Sequence, residues 1–526
     1  MTIMDNSSSN TETTDSQKPK KKAPKPLNRW SLSTLSLIQI LSLFVLVIAG
    51  NILAAHYFKR KDLSRGDIFS LSQWSRGLVG STAVQSRPSP VKILVAFRRS
   101  SAFRDRVRNL AFEYASHSQG KIVVEHFDPV RDVDRALRVA QMYKLAPENN
   151  LLNREDLIII DARDDTTAPV TAEENAKIRF VTQERMLLHD NNGGKTARRV
   201  AAFQGEDAIT TSLLSAIEGK PRNVFFLADK SDMATEIDGG PWSVLMENLL
   251  SQNIVPLPVR FAELQEIPEA CAGLIIASPR YDFTEKEMEL LRAYWNRPGS
   301  NIMVILRARQ APERLRAFLR ENGVTPRSDT IVSLRGKQPR FSVDASFDPG
   351  FPYLSDFWNK TTTFDGLSSS LEVRENDDLL GNRNIQPVPL ISASSQYWGE
   401  TGKNLDAPVF NDVEDISAPL TLAAAVTRGM TNSDQFSEKT SRMLVLGNAS
   451  FLDPASIRSE NTDFLRASAN WLVGREELCG TGPQVIGTFR LPILSSQAAF
   501  INRINLFFLP AAFLLISLVI WNARRS

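Results

Sequence analysis

Four histidines are the first residues of this chain to consider for acid–base or metal chemistry: His56, His117, His126 and His189. None belongs to an HExxH motif or to another metal-ligand spacing, so the sequence predicts no metal site. No GxSxG nucleophile elbow occurs. Because no histidine follows His189, the second half of the chain lacks the base that a Ser–His or Cys–His nucleophile requires. These observations favour a protein that is not an enzyme.

A fragment of a phosphate-binding loop, Gly194-Lys195-Thr196, lies at the turn of a hairpin predicted from residues 185–188 and 198–203. A complete P-loop needs a glycine five residues before the Gly-Lys pair, within a strand–loop–helix unit. Position 189 is histidine, and a predicted strand follows the fragment instead of a helix. We therefore expect no nucleotide site and no cofactor.

Four polar residues follow buried strands of a predicted doubly wound sheet: Asp229, Ser278, Arg307 and Asn448. Ligands of such sheets bind beyond the carboxyl ends of the strands. Two interpretations remain open. These residues line a ligand crevice, or they are ordinary polar loop residues.

The two cysteines, Cys271 and Cys479, allow two interpretations. A disulfide is one option if this part of the chain lies outside the cytoplasm. Two buried free thiols are the favoured option, because cysteine is commonly buried and nothing in the sequence fixes the geometry of the pair. Cys271 precedes its strand, so it lies at the opposite end of the sheet from the crevice.

Strand and helix patterns alternate along most of the chain, which predicts sheets covered by helices. In the first half, the predicted strands are 91–97, 121–127 and 157–161, and the predicted helices are 102–117 and 132–143. This order resembles a thioredoxin-like layout. No CxxC pair is present, so no thiol redox chemistry is expected.

In the second half, the same alternation predicts a doubly wound unit of the flavodoxin or amidotransferase type. Its predicted strands are 223–227, 254–259, 272–277, 302–306 and 442–446, and its predicted helices are 242–250, 284–295, 312–321 and 462–473, preceded by a helix at 207–217. Thr284, with Glu287 three residues later, fits a capping box at the start of one of these helices.

Two long apolar runs flank these α/β units. Residues 32–55 contain no charged side chain, and a membrane span needs about 20 mostly apolar residues. The second run, residues 504–521, reads INLFFLPAAFLLISLVIW and contains Pro510. We predict one transmembrane helix from each run. The alternatives are a cleaved signal peptide for the first and a buried core helix for the second.

Charge indicates the orientation of these helices. Residues 1–30 contain six Lys and Arg, mostly within KPKKKAPKP, and four more follow the first apolar run at Lys59, Arg60, Lys61 and Arg65. Positive residues stay on the cytoplasmic side, so both termini are predicted inside and the bulk of the chain between the two helices outside. The bulk of the chain is nearly neutral, which does not favour nucleic-acid binding.

The predicted organisation is therefore a disordered basic tail (1–30), a transmembrane helix (31–57), a thioredoxin-like domain (66–200), a doubly wound α/β domain (201–325), an irregular insertion (326–415), the completion of the α/β domain (416–480), a linker (481–502) and a second transmembrane helix (503–522).

Seven short motifs follow one another along the chain. They are DIFSLS (67–72), FDP (127–129), GEDAIT (205–210), NVFFL (223–227), APLTLA (418–423), LVLGNASFLD (444–453) and NWLVG (470–474). With the two flanking apolar helices, the chain resembles the auxiliary components of ABC-type transport systems associated with gliding motility. That family has a Gly-His-Gly-Glu-like turn after its NVFFL-type strand, where this chain has Ala228-Asp229-Lys230-Ser231.

The resemblance implies an inner-membrane protein that works with an ABC ATPase and a permease and performs no catalysis itself. Its periplasmic domain would contact the permease, the substrate, or envelope and motility components. The rival hypothesis is a membrane-anchored periplasmic hydrolase or glycan-binding protein that uses the crevice. A tethered scaffold without a transporter is a third hypothesis.

Overall fold

The computed structural model describes residues 29–56, 70–145, 156–190, 199–235, 239–358, 360–429, 440–483, 486–487, 500 and 502–523. The basic tail at 1–28, the hairpin turn at 191–194 and the Gly194-Lys195-Thr196 fragment lie outside the described residues, as does most of the predicted linker. The chain divides into two compact units, Met1–Ser64 and Arg65–Ser526.

The first unit contains one long helix, α1 (Arg29–His56). Side chains are described for residues 37–53 of this helix. Every large apolar side chain among them is exposed, with exposed fractions from 46% to 69%. Within the described residues, no helix has both the length and the hydropathy required to cross a bilayer.

The second unit is mixed α/β and contains several sheets, which confirms the predicted α/β class. Its first sheet has four strands in the order β2-β1-β3-β4, where β1 and β2 are parallel and the other two neighbouring pairs are antiparallel. The strands are β1 (Val91–Ala96), β2 (Ile122–Phe127), β3 (Leu157–Asp161) and β4 (Ile178–Thr182).

Helices cover both faces of this sheet, as expected for β3, which is buried along its whole length and apolar in its first four residues. They are α2 (Gln73–Gly80), α3 (Thr82–Gln85), α4 (Arg104–His117), α5 (Val133–Met142) and α6 (Gly205–Glu218). Tyr114 of α4 joins α6 at the core, where its hydroxyl hydrogen-bonds to the Thr210 hydroxyl at 2.5 Å.

The predicted hairpin is present as β5 (Leu187–Asp190) and β6 (Arg199–Phe203), which pair antiparallel. The short strand β21 (Ile486–Gly487) adds to β6. This third element of the small sheet comes from a part of the chain that was predicted to be a linker.

The largest sheet has eleven strands, and one half of it is parallel, in the order β8-β7-β9-β10-β20. These strands are β7 (Arg222–Leu227), β8 (Ile254–Val259), β9 (Gly273–Ala277), β10 (Asn301–Ile305) and β20 (Ser441–Leu446). Pro256 and Pro258 lie in β8, the outermost strand, where the missing N–H groups cost no ladder hydrogen bonds.

The other half of this sheet is antiparallel and continues from β20 in the order β19-β17-β14-β15. These strands are β14 (Val343–Phe347), β15 (Thr361–Phe364), β17 (Ile385–Ala393) and β19 (Thr421–Arg428), with the branch β11 (Val324–Pro326) and β16 (Leu371–Val373). A separate small sheet contains β12 (Thr330–Arg335), β13 (Gln338–Arg340) and β18 (Trp398–Glu400). Residues 326–415 therefore form an ordered extension of the large sheet and a satellite sheet.

The helices of the second half are α7 (Pro241–Ser251), α8 (Glu285–Trp295), α9 (Glu313–Glu321), α10 (Asp378–Gly381), α11 (Ser459–Leu472) and α12 (Leu509–Ala523). The predicted capping box at the start of α8 is confirmed, with Thr284 and Glu287 each accepting a backbone N–H of the other. In α11, Trp471 stacks on Tyr353 with ring centroids 4.9 Å apart, which ties this helix to the extension.

Short 3-10 turns connect several of these elements, at Glu173–Lys177, Glu184–Met186, Phe261–Glu263, Pro352–Phe357, Ser450–Leu452 and Glu476–Leu478. A π-helical turn, Ile504–Phe508, precedes α12, and Pro510 is the second residue of that helix. The irregular turn therefore lies directly before the proline, which cannot donate a helical hydrogen bond.

Candidate functional site

The strand order places the loops after β7, β9 and β10 side by side at the carboxyl edge of the parallel half-sheet. Two of the four predicted site residues meet there. The Ser278 hydroxyl donates to one carboxylate oxygen of Asp232, and the Arg307 guanidinium donates to the other. The centre of this cluster, Asp232, was not identified from the sequence. We call Asp232, Ser278 and Arg307 the crevice cluster.

Ser278 is buried and adopts a φ of +49°, in the left-handed region that non-glycine residues rarely occupy. Hydrogen bonds hold this conformation from both sides. The Ser278 N–H donates to the Ile305 carbonyl at 2.7 Å, and the Ser278 carbonyl accepts the Asp232 N–H at 3.2 Å. Backbone strain of this kind persists only where the surroundings over-determine it, and it is frequent at functional sites.

Asp229 lies at the same edge of the sheet but faces a different loop. Its carboxylate accepts the N–H groups of Phe261 at 2.8 Å and of Ala262 at 3.1 Å. These bonds cap the 3-10 turn that follows β8. Asp229 therefore stabilises a loop and does not contribute its carboxylate to the crevice cluster.

Asn448 is fully buried after β20 and bonds to neighbouring loops. Its amide nitrogen donates to the Ser368 hydroxyl at 2.7 Å and to the Asp365 carbonyl at 3.2 Å. Its amide oxygen accepts the Phe451 N–H at 2.9 Å. The structure therefore separates Asn448 from the crevice cluster and gives it the role of a loop anchor.

A buried ion pair lies behind the crevice cluster. The Lys230 ammonium is 2.8 Å from a carboxylate oxygen of Glu287, and both side chains are less than 10% exposed. The ammonium also lies 5.5 Å from the centre of the Phe283 ring. Burial by itself raises the pKa of Glu287, but Lys230 and the Thr284 N–H together lower it below its ordinary value. The pair fixes the loop after β7 onto the start of α8.

The arrangement suits hydrogen bonding better than acid–base catalysis. Both carboxylate oxygens of Asp232 are already engaged, one by the Ser278 hydroxyl and the other by the Arg307 guanidinium. Among the described residues, no group of three or more His, Cys, Asp or Glu side chains could hold a metal ion.

The histidines whose side chains are described lie in the first α/β part of the chain, His117 at the end of α4 and His126 on β2. His117 Nδ1 lies 2.9 Å from the Glu113 carbonyl, and the His126 ring packs edge-on against Phe112 at 6.2 Å. The side chains of His56 and His189 lie outside the described residues. No described histidine therefore serves as a base for Ser278.

Both cysteines are free and buried, which agrees with the favoured interpretation. The Cys271 thiol donates to the Gly273 carbonyl at 3.1 Å, and the Cys479 thiol donates to the Ala467 carbonyl at 3.3 Å. Burial raises the pKa of both thiols. Neither has the exposed thiolate that a nucleophile or redox sensor requires.

Sequence reasoning examined the first polar residues after each strand and therefore missed Asp232, which lies five residues beyond the end of β7. One signal was available. Asp232 directly extends the polar run Asp229-Lys230-Ser231 that follows β7. The length of that loop lets Asp232 fold back across the end of β9.

No protein-family model matches the chain, and no curated protein matches its sequence. Among solved structures, it is similar to the mmIFT52 N-terminal domain, with 18% identity, 48% of this chain and 97% of that chain covered, and a TM-score of 0.32. It is also similar to a putative ThuA-like protein from Bacteroides uniformis, with 12% identity, 48% and 92% covered, and a TM-score of 0.29. A third similarity is to the exo-beta-1,4-mannosidase Op5Man5 from Opitutaceae bacterium strain TAV5, with 12% identity, 70% and 49% covered, and a TM-score of 0.25.

Proposed function

We propose that this chain is a non-catalytic, membrane-anchored auxiliary component of an ABC-type transport system of the gliding-motility kind. Its α/β body would stand on the periplasmic side of the bacterial inner membrane and contact the permease, the transported substance, or envelope components. ATP hydrolysis would belong to a separate subunit, because the sequence contains no complete P-loop.

The observation that carries this proposal is the surface of α1. All twelve large apolar side chains described between residues 37 and 53 are exposed, on every side of the helix. A helix that is hydrophobic all round needs an apolar environment, so we propose that α1 lies in a bilayer even though no described helix meets the length and hydropathy of a full span. The apolar side chains described from Leu506 to Trp521 are exposed in the same way, which supports a second anchor.

The crevice supports the non-catalytic part of the proposal. The charged side chains in and around it are paired with one another or bonded to backbone groups, as Asp232 with Arg307 in the crevice cluster, Lys230 with Glu287 behind it, and Asp229 with the backbone amides of a neighbouring loop. An acid or base in a working active site must be able to exchange a proton with a substrate. Paired groups of this kind stabilise a rigid binding or contact surface.

The strand orders support a finer description of the body, which we include in the proposal. The order β2-β1-β3-β4, with β1 and β2 parallel, suits a thioredoxin-like unit without redox cysteines. The order β8-β7-β9-β10-β20, with all neighbouring pairs parallel, suits the 2-1-3-4-5 order of flavodoxin-like sheets. The crevice cluster lies beyond the carboxyl ends of β7 and β9, at the point where the strand order of the sheet reverses.

Purification of the full chain from its native membrane in a mild detergent tests this proposal. We expect an ABC ATPase and a permease to be recovered with it, and we expect a variant that lacks residues 504–526 to recover less of both. Recovery of the intact chain without either protein would contradict the transport role.

One observation favours a second candidate, a membrane-anchored hydrolase or glycan-binding protein. Ser278 combines a strained backbone, a position directly after a parallel strand and a hydroxyl bonded to a carboxylate. Ester or glycoside hydrolysis by the purified chain that is lost in Ser278→Ala but retained in Asp229→Asn would support this candidate over the first.

A further inference from the structure

A loop on the satellite sheet presents apolar side chains to solvent in a fixed conformation. It comprises residues 401–415, between β18 and β19, and we call it the acidic loop. Its ends are held together by reciprocal backbone hydrogen bonds between Gly399 and Ile416, at 2.8 and 3.0 Å. The Thr401 N–H then donates to the Asp415 carboxylate at 2.9 Å. The acidic loop is therefore closed at its base.

The tip of the acidic loop is organised around Asn411. Its carbonyl accepts the N–H groups of Glu414 and Asp415 at 3.2 and 2.9 Å, and its side-chain oxygen accepts the Val413 N–H at 3.1 Å. In return, the Asn411 N–H donates to the Asp415 carboxylate at 2.8 Å. These bonds fix the backbone of the tip without using any apolar contact.

The fixed tip exposes three apolar side chains. Val413 is 91% exposed, Val409 is 77% exposed and Phe410 is 41% exposed. The Phe410 ring is also oriented by Trp398, with ring centroids 6.1 Å apart in an edge-to-face arrangement. Exposed apolar groups held on an ordered backbone lose little conformational freedom on binding, so they are suited to docking into a pocket.

Charge specifies what this tip would contact. The acidic loop contains Asp406, Asp412, Glu414 and Asp415 against one basic residue, Lys403. Within the described part of the chain, Asp406, Asp412 and Glu414 form no ion pair. Carboxylates without a partner around an apolar tip complement a surface that bears Lys or Arg, and they disfavour anionic surfaces.

We propose that the acidic loop is a docking element for a partner protein that offers an apolar pocket rimmed by Lys and Arg side chains. Val413 and Val409 would enter the pocket, and Asp412 and Glu414 would pair with its rim. The proposal stands apart from the transport role, because it rests only on the acidic loop.

Two other occupants fit less well. An anionic membrane surface attracts basic segments and repels acidic ones, so it does not suit the acidic loop. A second copy in a two-fold dimer would place the same surface against itself, and the acidic side chains would then repel one another.

Photo-crosslinking in cells that make the full chain tests the proposal. A benzoylphenylalanine residue at position 413 should crosslink to one protein, and mass spectrometry should place the crosslink in an apolar segment flanked by Lys or Arg. The same residue at position 379, where Leu379 is also exposed on another surface, should not give this product. Reversal of two charges, in Asp412→Lys/Glu414→Lys, should lower the yield about tenfold, because like charges oppose docking.

The matched control is Glu289→Lys/Glu375→Lys, which makes the same charge change at exposed positions away from the acidic loop. Its crosslinking yield should remain unchanged. The proposal is wrong if position 413 crosslinks to nothing, to lipid, to a second copy of this chain, or to an acidic segment. It is also wrong if both charge reversals lower the yield equally. None of these results bears on recovery of an ATPase or permease in detergent.

Discussion

The buried Lys230–Glu287 pair gives the sharpest prediction about how the crevice is held in place. In Lys230→Met, the ammonium is replaced by an apolar side chain of similar length, and the Glu287 carboxylate stays buried with the Thr284 N–H as its remaining partner. Removing one partner of a buried ion pair costs about 3–5 kcal/mol. We expect the lower end, about 3 kcal/mol, because the Thr284 N–H still stabilises the carboxylate.

Hydrogen exchange measured by mass spectrometry reports this loss locally. A cost of about 3 kcal/mol should accelerate exchange about 100-fold in peptides that cover residues 228–232 and 284–288. Peptides from the four-stranded sheet should exchange at unchanged rates. The double variant Lys230→Met/Glu287→Gln removes both charges and keeps an oxygen for the Thr284 N–H, so it should recover most of the protection.

This reasoning would be refuted in two ways. The exchange rate of the single variant could exceed that of the unmodified chain by less than about fivefold, which would mean that the pair contributes little to local stability. Alternatively, the double variant could exchange as fast as the single one, which would show that loss of packing rather than an unpaired charge causes the effect.

Three further predictions concern stability, and urea unfolding checks each of them. Thr284→Ala removes the capping hydroxyl of α8 and should cost about 1 kcal/mol, whereas Thr284→Ser should cost less than half of that. Asn448→Ala leaves the buried Phe451 N–H without its acceptor and should lower the free energy of unfolding by about 1–3 kcal/mol. Replacing a residue whose only role is to bind a ligand would not cause this loss of stability. Burial raises the pKa of Asp463 to about 6, so the folded state binds this proton more tightly than the unfolded state, and stability should fall as the pH rises from about 4 to 6. We expect a change of about 2 kcal/mol, less than the full pKa shift would give, because the side chain is partly exposed, and Asp463→Asn should abolish this pH dependence.

Segments with a strong apolar pattern were predictable from the sequence, because that pattern matches the environment that they occupy. The strand β3 is the clearest case, since the continuous apolar run at 157–160 predicts a strand that is buried on both faces. The capping box of α8 was equally predictable, because its hydrogen bonds are local in sequence.

Segments that depend on distant partners were not predicted. The strand β4 has a mixed burial pattern and is a strand because it pairs with β3. The strand β19 reads TLAAAVTR, and its three central alanines have a weak preference for strands. It pairs with β17 on one side and with β20 on the other, so tertiary contacts decide its conformation.

The candidate site was predicted in part, for a similar reason. The sequence placed Ser278 and Arg307 at the correct edge, because the ends of parallel strands are visible in the apolar pattern. Whether a side chain then faces the crevice depends on the path of the loop. Asp229 and Asn448 face neighbouring loops, and Asp232 reaches the crevice because its loop turns back towards β9.

A topology reporter fused after residue 330 tests the central claim most directly, because that position lies in the satellite sheet of the α/β body. A periplasmic alkaline phosphatase domain at this position should be active in intact cells, and a cytoplasmic fluorescent domain at the same position should be dark. The same pair of reporters after residue 526 should give the opposite result. A cytoplasmic signal at residue 330 would contradict the outward-facing body, and with it the proposed role in a membrane transport complex.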